Sequence, residues 1–246
     1  LGGDVAKIAV MPQRLEDEVV RLGADPLGVY VRTGQTPNLA AVSELGVLCA
    51  AQYPGLHAVV VDATVYHDAG ADDAQELGCS LATGVAYLRV LTEAGLDVPT
   101  ALRQLEFRYA SSVDQFLSIA KFRAARRLWA RVAQVCSAPD AGAQYQHAVT
   151  SSAMMTARDP WVNMLRTTLA CFAAGVGGAD AITVEPFDSC LGLPDVFSRR
   201  IARNTQALLM DEANLARVID PAGGSWYVEQ LTEELAKASW DWFTEI

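Results

Sequence analysis

Histidine is scarce in this chain of 246 residues: His57, His67 and His147 are the only three. Proton transfer near neutral pH would have to run through one of them. Positive charge is short as well, with Lys+Arg at 19 against Asp+Glu at 29 and a formal net charge of -10. That balance argues against nucleic acid as a partner. Cys49, Cys79, Cys136, Cys171 and Cys190 form no CxxC pair, so there is no sign of a zinc site or a disulfide framework, and a reducing compartment is expected. Phosphate loop, serine nucleophile elbow and HExxH helix are all missing. Apolar runs are interrupted too often to span the ~30 Å of a bilayer, and no charged-then-apolar leader opens the chain. A cytoplasmic protein with no membrane partner is expected. Leu1 is not an initiator methionine, and Leu1-Gly-Gly-Asp4 opens inside an apolar pattern, which reads as a fragment of a longer polypeptide.

Hydrophobic residues make up 51% of the chain, enough for a substantial core, and one domain is expected. Four apolar, β-branched runs read as strands: His57 to Val65, Gln104 to Tyr109, Tyr145 to Thr150, and Ala181 to Val184. Each precedes a helical pattern. Asp72 and Asp73 cap a helix with Leu77, Leu81, Val85 and Leu88 on one face. The longest helix, Val113 to Val135, places Val113, Phe116, Leu117, Ala120, Ala124, Leu128 and Val132 together. Asp159-Pro160 and Leu193-Pro194-Asp195 open two more, the second running through Met210, and the turn Pro221 to Ser225 precedes a last amphipathic helix.

Strand starts near 57, 104, 145 and 181 recur at intervals of 47, 41 and 36 residues. Repeated strand-then-helix units call for a parallel sheet with helices outside, and such a sheet can close into a TIM-type (βα)8 barrel. An α/β fold is therefore expected, as a degenerate barrel only partly represented in this chain, with an open sheet as the alternative. Residues 1–56 would be an incomplete first part, holding one strand over Ala6 to Met11 and a helix from Asn38 to Ala51. Residues 57–220 would be the βα units, and 221–246 a helical segment leading out of the barrel.

Tyr66-His67-Asp68-Ala-Gly70 falls just past a strand's carboxyl end, where barrel enzymes keep catalytic groups. The structural alternative has Tyr66 and His67 filling the mouth and bonding to nearby loops. His147 sits similarly in the third run, and His57, opening a strand, reads as structural. Lys121, Arg123, Arg126, Arg127 and Arg131 form a basic run that could meet phosphates or an acidic surface, although a solvated outer face is the simpler reading. Trp226-Tyr227 and the Trp240, Trp242, Phe243 cluster suit core or interface.

Three ordered stretches carry a resemblance: Ala120-Lys-Phe-Arg-Ala-Ala-Arg-Arg-Leu-Trp129, Arg200-Ile-Ala-Arg-Asn-Thr-Gln206, and Arg217-Val-Ile-Asp-Pro-Ala-Gly-Gly-Ser-Trp-Tyr-Val228. They resemble signatures of the methylmalonyl-CoA mutases, with lesser similarity from about Asp25 to the end. In catalytic chains of that family the first strand leads into Ser-Gly-Tyr-His-Met-Gln-Glu-Ala-Gly, whose tyrosine and histidine serve radical formation and the thioester carbonyl. Aligned on Asp68-Ala-Gly70, those two fall on Thr64 and Val65, so Tyr66-His67 is an offset look-alike. Treated as strand, a two-residue offset moves a side chain by about 7 Å, beyond catalytic contact. The coenzyme A-binding arginine of Arg-Leu-Ser-Phe-Phe becomes Gln104. Arg-Thr-His-x-Gln-Thr-Ser-Gly-Trp becomes Tyr145 to Ala153, keeping His147 but putting Tyr145 and Val149 in place of arginine and glutamine. Gln-Ser-Leu-His-Thr-Asn becomes Asp180-Ala-Ile-Thr-Val-Glu185.

Polar ligands are thus lost at four strand ends, and the family's Asp-x-His-x-x-Gly cobalamin motif is absent. The resemblance implies a non-catalytic small subunit of an isomerase that rearranges methylmalonyl-CoA to succinyl-CoA. It would bind no cofactor or metal itself and pair as a heterodimer with a catalytic large subunit carrying adenosylcobalamin. The alternative is a divergent acyl-CoA mutase chain that binds acyl-CoA and uses Tyr66, His67 and His147.

Overall fold

The computed structural model describes residues 20–53 and 55–246; the strand expected over Ala6 to Met11 lies outside them. Five strands, β1 (Val20–Ala24), β2 (Leu56–Asp62), β3 (Leu105–Ser111), β4 (Tyr145–Thr150) and β5 (Ala181–Thr183), form one sheet whose spatial order is the chain order. Every pairing is parallel. Each crossover between parallel strands contains helix, as a parallel connection requires: α1 (Pro26–Thr33) and α2 (Leu39–Gln52), then α3 (Thr64–Asp68), α4 (Asp73–Glu93) and α5 (Val98–Arg103), then α6 (Gln115–Val135), then α7 (Val162–Val176). After β5 come α8 (Val196–Ala207) and α9 (Trp226–Glu245). The expected α/β layering is present. The sheet is not closed: among the described residues β1 and β5 each have one neighbour.

Start signals place most helices. Asn38, Asp72, Asp97, Asp114 and Asp195 each accept a backbone N–H at a helix start, and Asp72 with Gln75 completes a capping box. The long first run divides differently from expectation. Asp62 Oδ1 accepts from Thr64 N at 3.2 Å and from Thr64 Oγ1 at 2.5 Å. This local turn ends β2 at Asp62 and starts α3, so Val65, Tyr66 and His67 are helical despite the β-branched run before them.

Phe107 and Tyr109 of β3 point into the layer beneath α4 and α6, where Phe107 meets Trp129 edge-on at 4.6 Å and Tyr109 meets Phe122 at 6.2 Å. Leu77, Leu81 and Leu88 of α4 are buried, as their spacing requires. Two residues of the α6 stripe turn outward instead. Val113 precedes the helix, and Phe116, 47% exposed, stacks edge-on with Tyr227 at the start of α9. Helix α9 crosses α4 and α6 closely: a Cβ on Gly78 would stand 2.7 Å from Trp242 Cβ.

The basic run on α6 is a solvated face only in part: Arg127 and Arg131 are exposed, whereas Arg123 and Arg126 are half-buried. Lys121 is fully buried. Arg123 forks onto Asp220 and Glu229, Arg126 donates to Gln146 and to the Gly177 and Gly178 carbonyls, and Arg127 pairs with Glu233. Arg123 and Arg127 fasten the last helix and the loop before it, and Arg126 ties α6 to β4 and to the turn after α7. Because Asp220 and Glu229 are 43% and 48% exposed, water screens the pairs. Arg123→Ala should cost about 1 kcal/mol, read as a lower urea midpoint, with a difference from wild type that shrinks at high salt.

Candidate functional site

Residues in register on neighbouring parallel strands share a face, and Asp62, Arg108 and His147 are aligned across β2, β3 and β4. Since Phe107 and Tyr109 face α6, this row projects from the opposite side. Asp62, 5% exposed, accepts from Arg32 at 2.7 Å and from Arg108 at 3.3 Å. Arg108 Nε donates to His147 Nδ1 at 3.3 Å, and His147 Nε2 meets Thr183 Oγ1 at 2.8 Å. Four strands are joined side chain to side chain.

A second cluster sits above the carboxyl ends. The His67 ring, on α3, places Nε2 2.6 Å from Ser151 Oγ, just past β4. Its Nδ1 lies 3.5 Å from Glu76 Oε2, an electrostatic contact longer than a well-made hydrogen bond. Glu76 accepts from Lys121 Nζ at 2.8 Å and from Ala110 N at 2.9 Å, and Lys121 also donates to Asp73 at 2.6 Å. Burial by itself would push the Glu76 carboxyl up; Lys121 and His67 outweigh it, and the group lies below the ordinary glutamate value. Nearby, Tyr66 OH bonds Thr83 Oγ1 at 2.6 Å, and burial raises its pKa. Tyr87 OH donates to Asp25 at 2.5 Å.

His67 therefore lies past the carboxyl end of β2, whereas His147 sits inside β4, level with the first residue of β5, and their partners differ. The placement of Tyr66 and His67 on α3 corrects the expectation built on strand geometry: two positions along a helix turn a side chain by about 200°, so the estimated 7 Å slide does not describe them. Gln104, Tyr145 and Asp180, at three of the four strand ends where family ligands are replaced, are not on the rim that carries Tyr66 and His67. They lie at the amino ends of β3, β4 and β5. Gln104, 3% exposed, has no partner for its Oε1. His57 stands at the amino end of β2, edge-on to Tyr145 at 6.2 Å.

Sequence reading missed Asp62, Arg108, Glu76, Ser151 and Thr183. A signal existed for one of them: Glu106 and Arg108 alternate with Leu105, Phe107 and Tyr109, and charge at every second place of a buried strand marks a polar face.

His67, Asp73 and Glu76 could together offer ligand atoms to a metal, yet Lys121 Nζ bonds both carboxylates and takes the cation's place. A cobalt ligand needs an imidazole nitrogen with a free lone pair. His67 and His147 have ring contacts at both nitrogens, and His57 is at the far end of the sheet, so these residues do not fit a corrin's lower-face ligand.

The family model for methylmalonyl-CoA mutase matches residues 20–246. The chain belongs to the methylmalonyl-CoA mutase family. It is 68% identical over 233 residues to a methylmalonyl-CoA mutase small subunit of Streptomyces virginiae, covering 94% of this chain and 38% of that protein. Identity to the methylmalonyl-CoA mutase small subunit of Propionibacterium freudenreichii subsp. shermanii is 45% over 233 residues, covering 94% and 36%. A methylmalonyl-CoA mutase of Escherichia coli (strain K12) is 34% identical over 203 residues, covering 82% and 28%. The chain thus spans less than two fifths of the length of these methylmalonyl-CoA mutase relatives.

Proposed function

We propose that this chain is part of the non-catalytic small subunit of an adenosylcobalamin-dependent methylmalonyl-CoA mutase, supporting a catalytic large subunit in a heterodimer. The observation that carries the reading is that His67 and His147 are spent on internal partners, Ser151 and Glu76 for one, Arg108 and Thr183 for the other. Rearrangement of an acyl thioester needs a positioned donor at its carbonyl. Small-subunit names among the relatives point the same way. Adenosylcobalamin, which supplies radical chemistry when bound, is assigned to the large subunit.

Five consecutive parallel strands are the arc that a (βα)8 barrel would present. We assign the remaining strands to the longer polypeptide, where they would cover the two sheet edges. A cytoplasmic place agrees with five unpaired thiols. Among the described residues, no helix is long and apolar enough to cross a membrane.

Mixing the two purified full-length polypeptides tests the proposal. Turnover of methylmalonyl-CoA is expected only with the large subunit present, and the complex carrying His67→Ala and His147→Ala in the small subunit should keep it. Turnover and corrin binding by the small polypeptide alone would overturn the reading, and loss of turnover in the doubly substituted complex would favour the alternative of an acyl-CoA-binding mutase chain.

A further inference from the structure

A guanidinium can only donate hydrogen bonds. The contact of Arg108 Nε with His147 Nδ1 therefore fixes the lone pair on Nδ1 and the ring proton on Nε2, where Thr183 Oγ1 receives it. Arg108 is held in turn: its other arm is on Asp62, which Arg32 and Thr64 anchor. At 33% side-chain exposure Arg108 reaches the open face, whereas Asp62 beneath it is buried.

We infer that Arg108 is the residue that closes His147 Nδ1 on this face: it holds the lone pair of that nitrogen so that it cannot serve an acyl thioester as a base, while Thr183 holds the proton on Nε2. The inference rests on the non-catalytic reading and names the side chain that enforces it. Lysine would not replace it, since one ammonium nitrogen stands where a planar fork spans two strands.

Diethyl pyrocarbonate reports on this directly, because it places an ethoxycarbonyl group on an imidazole nitrogen that has a free lone pair, releasing ethanol and carbon dioxide. In the assembled complex, peptide mapping should find His147 modified at least about tenfold more slowly than in the denatured chain, the scale of one hydrogen bond to a charged group. Arg108→Phe should restore most of that tenfold, Arg108→Lys part of it, and Thr183→Val none, because it leaves Nδ1 covered. A general loosening of the face would accelerate all three alike and overturn the inference. So would a wild-type rate equal to that of the denatured chain, or a folded Arg108→Phe complex that stays protected. If Arg108→Phe does not fold, an unchanged rate in Arg108→Lys has the same force. Counting bound equivalents of a non-reactive acyl-CoA thioether separates the two claims: two per wild-type complex would sink the non-catalytic reading, while one equivalent with unchanged labelling rates would sink the role of Arg108 alone.

Discussion

Lys121→Met should cost about 3–5 kcal/mol, the penalty for stranding a buried charge, out of the 5–15 kcal/mol that typically hold a domain together. Glu76 is fully buried, and its carboxylate is matched by the Lys121 ammonium at 2.8 Å. Burial alone would pull Lys121 below its ordinary value; Glu76 and Asp73 overcome this and raise it. The two shifts bracket a window. Glu76 has a folded pKa below its ordinary 4.5, so its contribution is whole above 4.5 and drains as pH falls through the folded value. Lys121 has a folded pKa above 10.5, so its contribution is whole below 10.5 and is lost as pH rises through the folded value. Wild type should thus lose stability on acidification below that window. In Lys121→Met the Glu76 carboxyl keeps its burial and loses its main counter-charge, which raises its pKa, so this variant should gain stability as pH falls. Adding Glu76→Gln should recover part of the loss, since the stranded charge is gone. Urea midpoints across pH measure all three chains, and midpoints of Lys121→Met that track wild type would remove the argument.

That cluster also marks the limit of what could be read from the chain alone. The starts of α4 and α8 were legible because caps are local chemistry: Asp72 and Asp195 each bind an amide three residues on. The runs of β2 and β3 were legible as strands because nearly every residue in them is buried, and that of β4 because burial alternates along it. Strand β1 was not, because Gly23 stands inside it at φ +69° and the register shifts between Arg21 and Ala24. The site was the least legible part. His67 could be picked out as a residue near a strand end, but its partners Glu76 and Ser151 lie 9 and 84 positions away. Lys121 read as one member of a basic surface stripe, since helical periodicity places a residue on a face without telling that two carboxylates of α4 wait there. The row through Arg108 required knowing the register of four strands, which no local pattern supplies.

Behind that row, Trp129→Ala should cost about 3–5 kcal/mol, the usual range for truncating a buried tryptophan. Its ring is wholly buried and braces Phe107 at 4.6 Å. Gly84 of α4 lies against the same rings: a Cβ there would stand 3.0 Å from Trp129 Cζ3 and 3.1 Å from Phe107 Cζ. Two rigid ring edges cannot swing aside, so Gly84→Ala alone should cost about 1–3 kcal/mol by overpacking, more than the ~1 kcal/mol of helix propensity it gains. In the Trp129→Ala background one clash is gone and Phe107 has room to tilt. There Gly84→Ala should stabilise, giving a coupling of about 1–2 kcal/mol in a cycle of four denaturation curves; additivity within ~0.5 kcal/mol would show that the rings do not share the strain. Phe107 and Arg108 are adjacent on β3 and project from opposite faces. Releasing Phe107 should therefore also loosen the hold of Arg108 on His147, and faster labelling of His147 in Trp129→Ala, reversed by Gly84→Ala, would tie the packing behind the sheet to the closure of its open face.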